Sequence, residues 1–203
     1  EPLKIETIKF LNWFSEYNLV PKGMSLKLHL LRGDVASYLD KEEYEKYNKI
    51  NKTKKFTLSS EQNKILKELL KKTNKFRVHL LQGTTGSGKT IVYFKTIEEK
   101  LKKGLQALIL LPEIGLTCEF EKKFYEFFGF NAAVWHSGIT PKRKKIIWSG
   151  LVSGRIKVVI GARSSLFLPF KKLGIIIVDE EHDQSYKQDE GVIYNARDMA
   201  IVR

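Results

Sequence analysis

Residues 78–90 read Val78-His79-Leu80-Leu81-Gln82-Gly83-Thr84-Thr85-Gly86-Ser87-Gly88-Lys89-Thr90. A short apolar run, a glycine-rich octapeptide and a mixed stretch to about residue 103 predict a buried strand that turns sharply into a helix. The octapeptide from Gly83 to Thr90 fits G-x-x-x-x-G-K-[ST]. Glycine allows successive N–H groups to curl round an oxyanion, and the amino end of the following helix adds partial positive charge. In such a loop Gly83, Thr84, Thr85, Gly86, Ser87 and Gly88 form a cradle for the phosphates of ATP. Lys89 reaches the β- and γ-phosphates, and Thr90 offers its hydroxyl to Mg2+. A merely flexible glycine turn is the competing reading, and the strand-to-helix setting weighs against it.

Outward from this stretch the alternation continues. Apolar runs too short for helices recur at 107–111, 132–135, 158–160 and 175–178, with candidate helices near 114–128 and 141–152. Buried strands alternating with helices predict an α/β fold with a parallel, doubly wound sheet, whose ligands lie beyond the carboxyl ends of the strands. The last run leads into Asp179-Glu180-Glu181-His182. Asp179, at the strand's end, is placed to hold Mg2+ directly or through water, and Glu180 to polarise an attacking water. An acidic turn kept only for solvation is the alternative, and it is the default for Glu181.

Upstream, Ser59-x-x-Gln62 has capping-box spacing ahead of a helical stripe of Ile65, Leu66, Leu69 and Leu70. Residues 41–56 are almost entirely charged or polar and read as a linker. Residues 1–40 place Phe10, Leu11, Trp13, Phe14, Tyr17 and Leu19 at near-helical spacing, then pass Pro21 and Gly23 into the alternating Ser25-Leu26-Lys27-Leu28-His29-Leu30-Leu31. That pattern predicts a helix, a turn and a strand.

The 203 residues are 42% hydrophobic, enough for a core and against disorder as the main state. The net charge of +13 is divided as +3 over residues 1–56 and +10 over the remainder. A polyanionic partner explains this excess, and so does compositional drift toward Lys, since only 7 of the 36 bases are Arg. The single Cys118 excludes an internal disulfide framework and a Cys-based zinc site, and fits a reducing compartment. No run approaches the ~20 apolar residues of a membrane helix. The chain opens on Glu1, so the lack of a visible signal carries little weight.

Taken in order, the phosphate loop, LLPEIGLT (110–117), HSG (136–138), GARSSLFLPF (161–170), DEEHDQSYKQDEG (179–191) and YNARD (194–198) resemble superfamily 2 DNA helicases. More narrowly, they resemble the bacterial primosomal helicases of replication restart. The likeness covers residues 57–203 and implies a RecA-like P-loop ATP-binding lobe. It also implies that Gln62 contacts adenine, in competition with its cap, since the side chain is expected to do one job at a time. Residues 113–117 and 161–166 would face DNA, with Arg163, Ser164 and Ser165 bonding backbone phosphates. His182 would couple nucleotide to DNA, and Tyr186, Lys187, Tyr194 and Arg197 would form an aromatic-rich loop that senses single-stranded DNA. Residues 1–40 resemble part of the family's winged-helix DNA-binding domain through Trp13, Tyr17, Pro21 and Gly23.

The partners implied are forked or single-stranded DNA and replication-restart proteins, in a bacterial cytoplasm and without a membrane. Ile91 stands where relatives usually carry Glu. No Ser-Ala-Thr motif, second lobe or Cys-rich zinc module is present, so zinc is not expected. Without the second lobe there is no arginine finger, worth about 10³ to 10⁵ in rate. The chain therefore reads as a fragment with little or no turnover of its own. A non-catalytic ATP- and DNA-binding module and an RNA helicase remain as alternatives.

Overall fold

The structure is a computed structural model that describes residues 3–30, 42–49, 51, 53–54, 56–71, 76–84, 86–112 and 117–203. The helices are α1 (Ile5–Tyr17), α2 (Lys22–His29), α3 (Glu42–Glu45), α4 (Ser60–Leu69), α5 (Lys89–Lys102), α6 (Cys118–Phe128), α7 (Pro141–Ser153) and α8 (Ala196–Val202). The strands are β1 (Gln106–Leu110), β2 (Ala133–Trp135), β3 (Val158–Gly161), β4 (Leu173–Val178), β5 (Lys187–Gln188) and β6 (Tyr194–Asn195).

The first four strands form one parallel sheet in the order β2-β3-β1-β4, and β5 and β6 form a small antiparallel pair. Parallel crossovers are right-handed, so a connection running toward β2 and one running back must pass over opposite faces. From β1 to β2 the chain travels one way through α6, and from β2 to β3 it returns through α7. Accordingly Ala107, Ile109, Val158 and Ile160 face α5 and α6, while Leu108, Leu110 and Val159 face α7. The doubly wound arrangement read from the sequence is the one observed. Polar residues end the helices: Thr117 caps α6, Thr140 caps α7 ahead of Pro141, and Gly129 and Gly154 close them in left-handed conformation.

Two readings of local structure are corrected. The run 78–81 is not a strand, and Phe76, Val78 and Leu80 are exposed. A strand exists only through its ladder, and this run has no ladder partner among the described residues. In keeping with that, among the described residues β4 pairs on its β1 side alone, and it is half-buried along its length, where full burial is expected from its isoleucines. The alternating run at 25–31 is helical as far as His29, and Leu31 lies outside the described residues. Pro21, with φ −57°, leads into α2, whose buried residues Ser25 and His29 lie four apart on one helical face. Six alternating residues are too few to separate the two periods.

The charged segment read as a linker is anchored. Tyr44 and Tyr47 are buried, and the Tyr44 hydroxyl donates to the Ile146 carbonyl at 3.1 Å. The Asn51 and Lys54 amides donate to the carbonyls of Gly129 and Glu126. Nor does α1 belong to a separate core. Phe10, Leu11 and Phe14 join the α7 face of the sheet, with the Phe14 ring edge-on to Phe167 at 5.0 Å. The described part of residues 1–40 holds two helices and no strand.

His29 is buried in this junction. Its Nδ1 faces the Phe167 carbonyl, which can only accept, so Nδ1 carries the hydrogen and the buried Nε2 has no partner. Burial, opposed by the Phe167 carbonyl and aided by nearby Arg203, pushes this imidazole below its usual 6.5. The unfolded chain then takes up the proton first. Stability is therefore full above about pH 6.5 and declines as pH falls from there toward the folded value. In thermal melts the advantage of wild type over His29→Gln should shrink below pH 6.5, by at most ~1.4 kcal/mol per pH unit. Parallel melting curves from pH 7.5 to 5 would show that the imidazole is protonated without cost.

Candidate functional site

The site is assembled at the carboxyl edge of the sheet. Gly88 is the N-cap residue of α5 with φ +81°, and Gly86 has φ +82°, both in the region that favours glycine. A Cβ on Gly88 would lie 2.4 Å from Gln62 Nε2, so the loop is closed against α4 as well as turned. Lys89 and Thr90 open the 14-residue α5. The Lys89 ammonium donates to the carbonyls of Gly83 at 2.6 Å and Thr84 at 3.1 Å, and Thr85 lies outside the described residues.

Gln62 makes the cap and a bond to the phosphate loop at once. Its Oε1 accepts from the Ser59 amide at 3.0 Å while the Ser59 hydroxyl accepts from the Gln62 amide at 3.1 Å, completing the capping box. The other end of the same group, Nε2, donates to the Ser87 carbonyl at 3.0 Å and so braces the phosphate loop.

Across from the loop, β4 delivers Asp179, whose amide donates to the Leu110 carbonyl at 3.1 Å. Asp179 Oδ1 accepts from the Glu180 amide at 3.1 Å, and Oδ2 accepts from the Tyr93 hydroxyl at 2.8 Å. Tyr93 sits one turn after Thr90 on α5, so a single hydrogen bond ties the helix that follows the loop to the end of β4. The sequence reading missed Tyr93, although its i, i+3 spacing from Thr90 on an amphipathic helix was a usable signal. Burial, then the nearby Asp179 carboxylate, holds its phenol far above the usual range.

Glu180 is exposed and has φ +47°, a left-handed backbone unusual for a side chain of this size. His182 Nε2 stands 3.7 Å from Glu180 Oε2, both being well exposed. Glu181 is not merely solvated, because Arg197 meets it at 3.2 Å.

The residues fit a magnesium nucleotide. A glycine-shaped loop at a helix amino end accepts phosphates, and a carboxylate is tied to that helix through a tyrosine at 2.8 Å. Among the described residues no three His, Cys, Asp or Glu side chains gather to hold an ion alone. Magnesium does not need such a cage, since it retains waters and takes one or two protein ligands with phosphate oxygens.

Comparison with known proteins agrees with this geometry. The family model described as DEAD/DEAH box helicase matches residues 59–201. The chain belongs to the DEAD/DEAH box helicases. Curated relatives of this helicase chain carry the name "Replication restart protein PriA". That of Rickettsia felis is 46% identical over 98% of the chain, and that of Haemophilus influenzae 46% identical over 75%. The Bacillus subtilis protein is 45% identical over 64%. The chain spans about 30% of the length of the Rickettsia relative, and 21% and 16% of the other two.

On the side where the helicase resemblance sets DNA contacts, burial goes against Ser165, Tyr186 and Tyr194. Ser165 is fully buried and its hydroxyl donates to the Ala162 carbonyl at 2.6 Å, so it serves the 3-10 turn Arg163–Phe167. Ser164 is exposed and accepts from the Trp135 indole at 3.2 Å, and Arg163 donates to the Lys187 carbonyl. Tyr186 and Tyr194 are buried at 1% and 4%, which leaves neither ring free to stack on a base. Burial pushes the Tyr194 phenol up to about 12, and the Tyr186 hydroxyl donates to the carbonyls of Leu110 and Asp179. Arg197 is engaged by Glu181 and Asp198, and Lys187 by Asp189 at 3.0 Å. Residues 113–116 lie outside the described residues. A cleft of about 420 Å³ opens here, lined by Glu181, His182, Gln184, Lys187, Asn195 and Arg197. Its walls are polar and charged, not aromatic.

Proposed function

We propose that this chain is the nucleotide-binding lobe of an ATP-dependent DNA helicase that works in replication restart in the bacterial cytoplasm. What supports the reading is the meeting of the phosphate-loop helix and the acidic strand end, bonded through Tyr93 and Asp179 at 2.8 Å. The loop amides from Gly83 to Gly88 and the Lys89 ammonium hold the β- and γ-phosphates. Thr90 and Asp179 are the magnesium ligands. Magnesium held by these two residues would supply positive charge against that of the phosphates. Glu180 orients the attacking water and takes its proton, and His182, beside it, carries the state of the nucleotide toward DNA.

Residues 57–203 form the catalytic lobe, with α1 and α2 seating the winged-helix portion of the protein on it. A second lobe supplied by the rest of the gene product brings the cation that meets the γ-phosphate. Closure and opening of the two lobes around a DNA strand turn hydrolysis into translocation. Single-stranded and forked DNA are the substrates, and replication-restart proteins the partners.

The test is ATP hydrolysis by the whole gene product with single-stranded DNA, forked DNA and RNA. Stimulation of about tenfold by DNA and little by RNA is expected, the size of an ordinary coupling between two sites. Equal stimulation by RNA would favour an RNA helicase, and nucleotide binding without hydrolysis under any condition a non-catalytic module.

A further inference from the structure

The core against α5 and α6 is built from phenylalanine. Phe94, Phe124, Phe127, Phe128 and Phe130 are buried in it, with Phe56 and Phe120 packed at its margin. Tyr93 is its one aromatic residue with a hydroxyl among those described, and its ring lies edge-on to Phe94 at 5.2 Å. A phenylalanine would fill the same volume, so packing does not explain the oxygen.

Helical side chains lean toward the amino end, and a residue at i+3 covers the turn before it. Tyr93 therefore reaches back over the turn that carries Thr90. The phenol has one hydrogen, which is given to Asp179 Oδ2. The Asp179 carboxylate is thereby fixed at both oxygens, by the Glu180 amide on one and by Tyr93 on the other. Tyr93 is 5% exposed, so water does not readily replace it in this role.

We propose that Tyr93 is a positioning residue that, through its hydroxyl, sets the orientation of the Asp179 carboxylate toward the helix that carries Thr90, the other residue read as a magnesium ligand. The inference rests on the reading of the site as one for a magnesium nucleotide. The Tyr93 hydroxyl touches Asp179 and not the phosphate loop, so its removal alters how well magnesium is held and leaves the phosphate cradle intact. Partners of this kind are worth about 10- to 100-fold in metal affinity.

The experiment uses the whole gene product and the fluorescent probe N-methylanthraniloyl-ADP, titrated in EDTA and then across a range of MgCl2. Tyr93→Phe keeps the ring and loses the hydroxyl. In EDTA its affinity for the probe should match wild type. The magnesium concentration that half-restores tight binding should rise by about tenfold. Phe94→Leu, a packing change in the same core, should lower the melting temperature and leave that magnesium concentration unaltered. An unchanged magnesium midpoint in Tyr93→Phe, or an equal shift in Phe94→Leu, overturns the inference. Absence of magnesium-dependent binding in the wild-type protein would instead remove the nucleotide reading on which it stands.

Discussion

Lys89→Ala abolishes measurable ATP hydrolysis in the whole gene product and weakens nucleotide binding by about 10² to 10³, while the melting temperature stays close to wild type. The large term is electrostatic. The ammonium is the cation at the mouth of a loop shaped to hold an anion, and deleting such a preorganised donor costs about 3 to 4 kcal/mol in the transition state. The stability term is small for two separable reasons. Among the described residues the Lys89 ammonium bonds to the carbonyls of Gly83 and Thr84, whose residues are exposed and regain water when it is lost. Alanine is also the best helix former, so the first turn of α5 does not suffer from the change. Steady-state ATPase, probe affinity and a thermal melt on the same preparation separate these terms. Hydrolysis at the wild-type rate would show that Lys89 merely ties the loop to itself.

The same bonds explain which parts of the molecule could be read from its sequence. The runs at 107–111, 158–160 and 175–178 become strands because each is long enough in β-branched or aliphatic residues to sit inside a ladder with neighbours on hand. The run at 78–81 is also mostly aliphatic and forms none, because pairing is a property of two segments and composition is a property of one. Tyr186 and Tyr194 looked like surface aromatics in a polar loop. They are buried because the β5–β6 pair folds that loop back over the α7 face, where Tyr194 meets Phe14 and Phe167 edge-on. Nothing in the local pattern distinguishes those two situations.

Gln62 shows the opposite case. Its capping role followed from spacing alone, while its brace on Ser87 joins residues 25 apart and required the fold. Asp179 and Glu180 were placed correctly at the strand end by the register of four aliphatic residues before them. The pairing of Asp179 with Tyr93, 86 residues away, had no local signature beyond helical spacing. The site was thus readable where one segment suffices to build it, and hidden where two segments meet.

Glu180→Gln is the sharper of the two large effects, because it separates binding from chemistry. Loss of a positioned general base lowers turnover by about 10² to 10⁴. Binding is expected to survive. Glutamine has the same shape, and the Glu180 group that touches Asp179 is its backbone amide, which the substitution keeps. The magnesium midpoint of nucleotide binding should therefore equal that of wild type, in contrast to Tyr93→Phe. The backbone at this residue offers an independent check. A left-handed conformation at φ +47° costs a side-chain-bearing residue about 1 to 2 kcal/mol, strain of a kind that folds tolerate where a functional group must be aimed. Glu180→Gly, free of that cost, should melt at a higher temperature than wild type and be as inactive as Glu180→Gln. If the glycine variant is no more stable, Glu180 is not held under strain. If the glutamine variant turns over ATP normally, the proton goes to another group, and the strain serves only to turn the chain from β4 toward the Tyr186 loop.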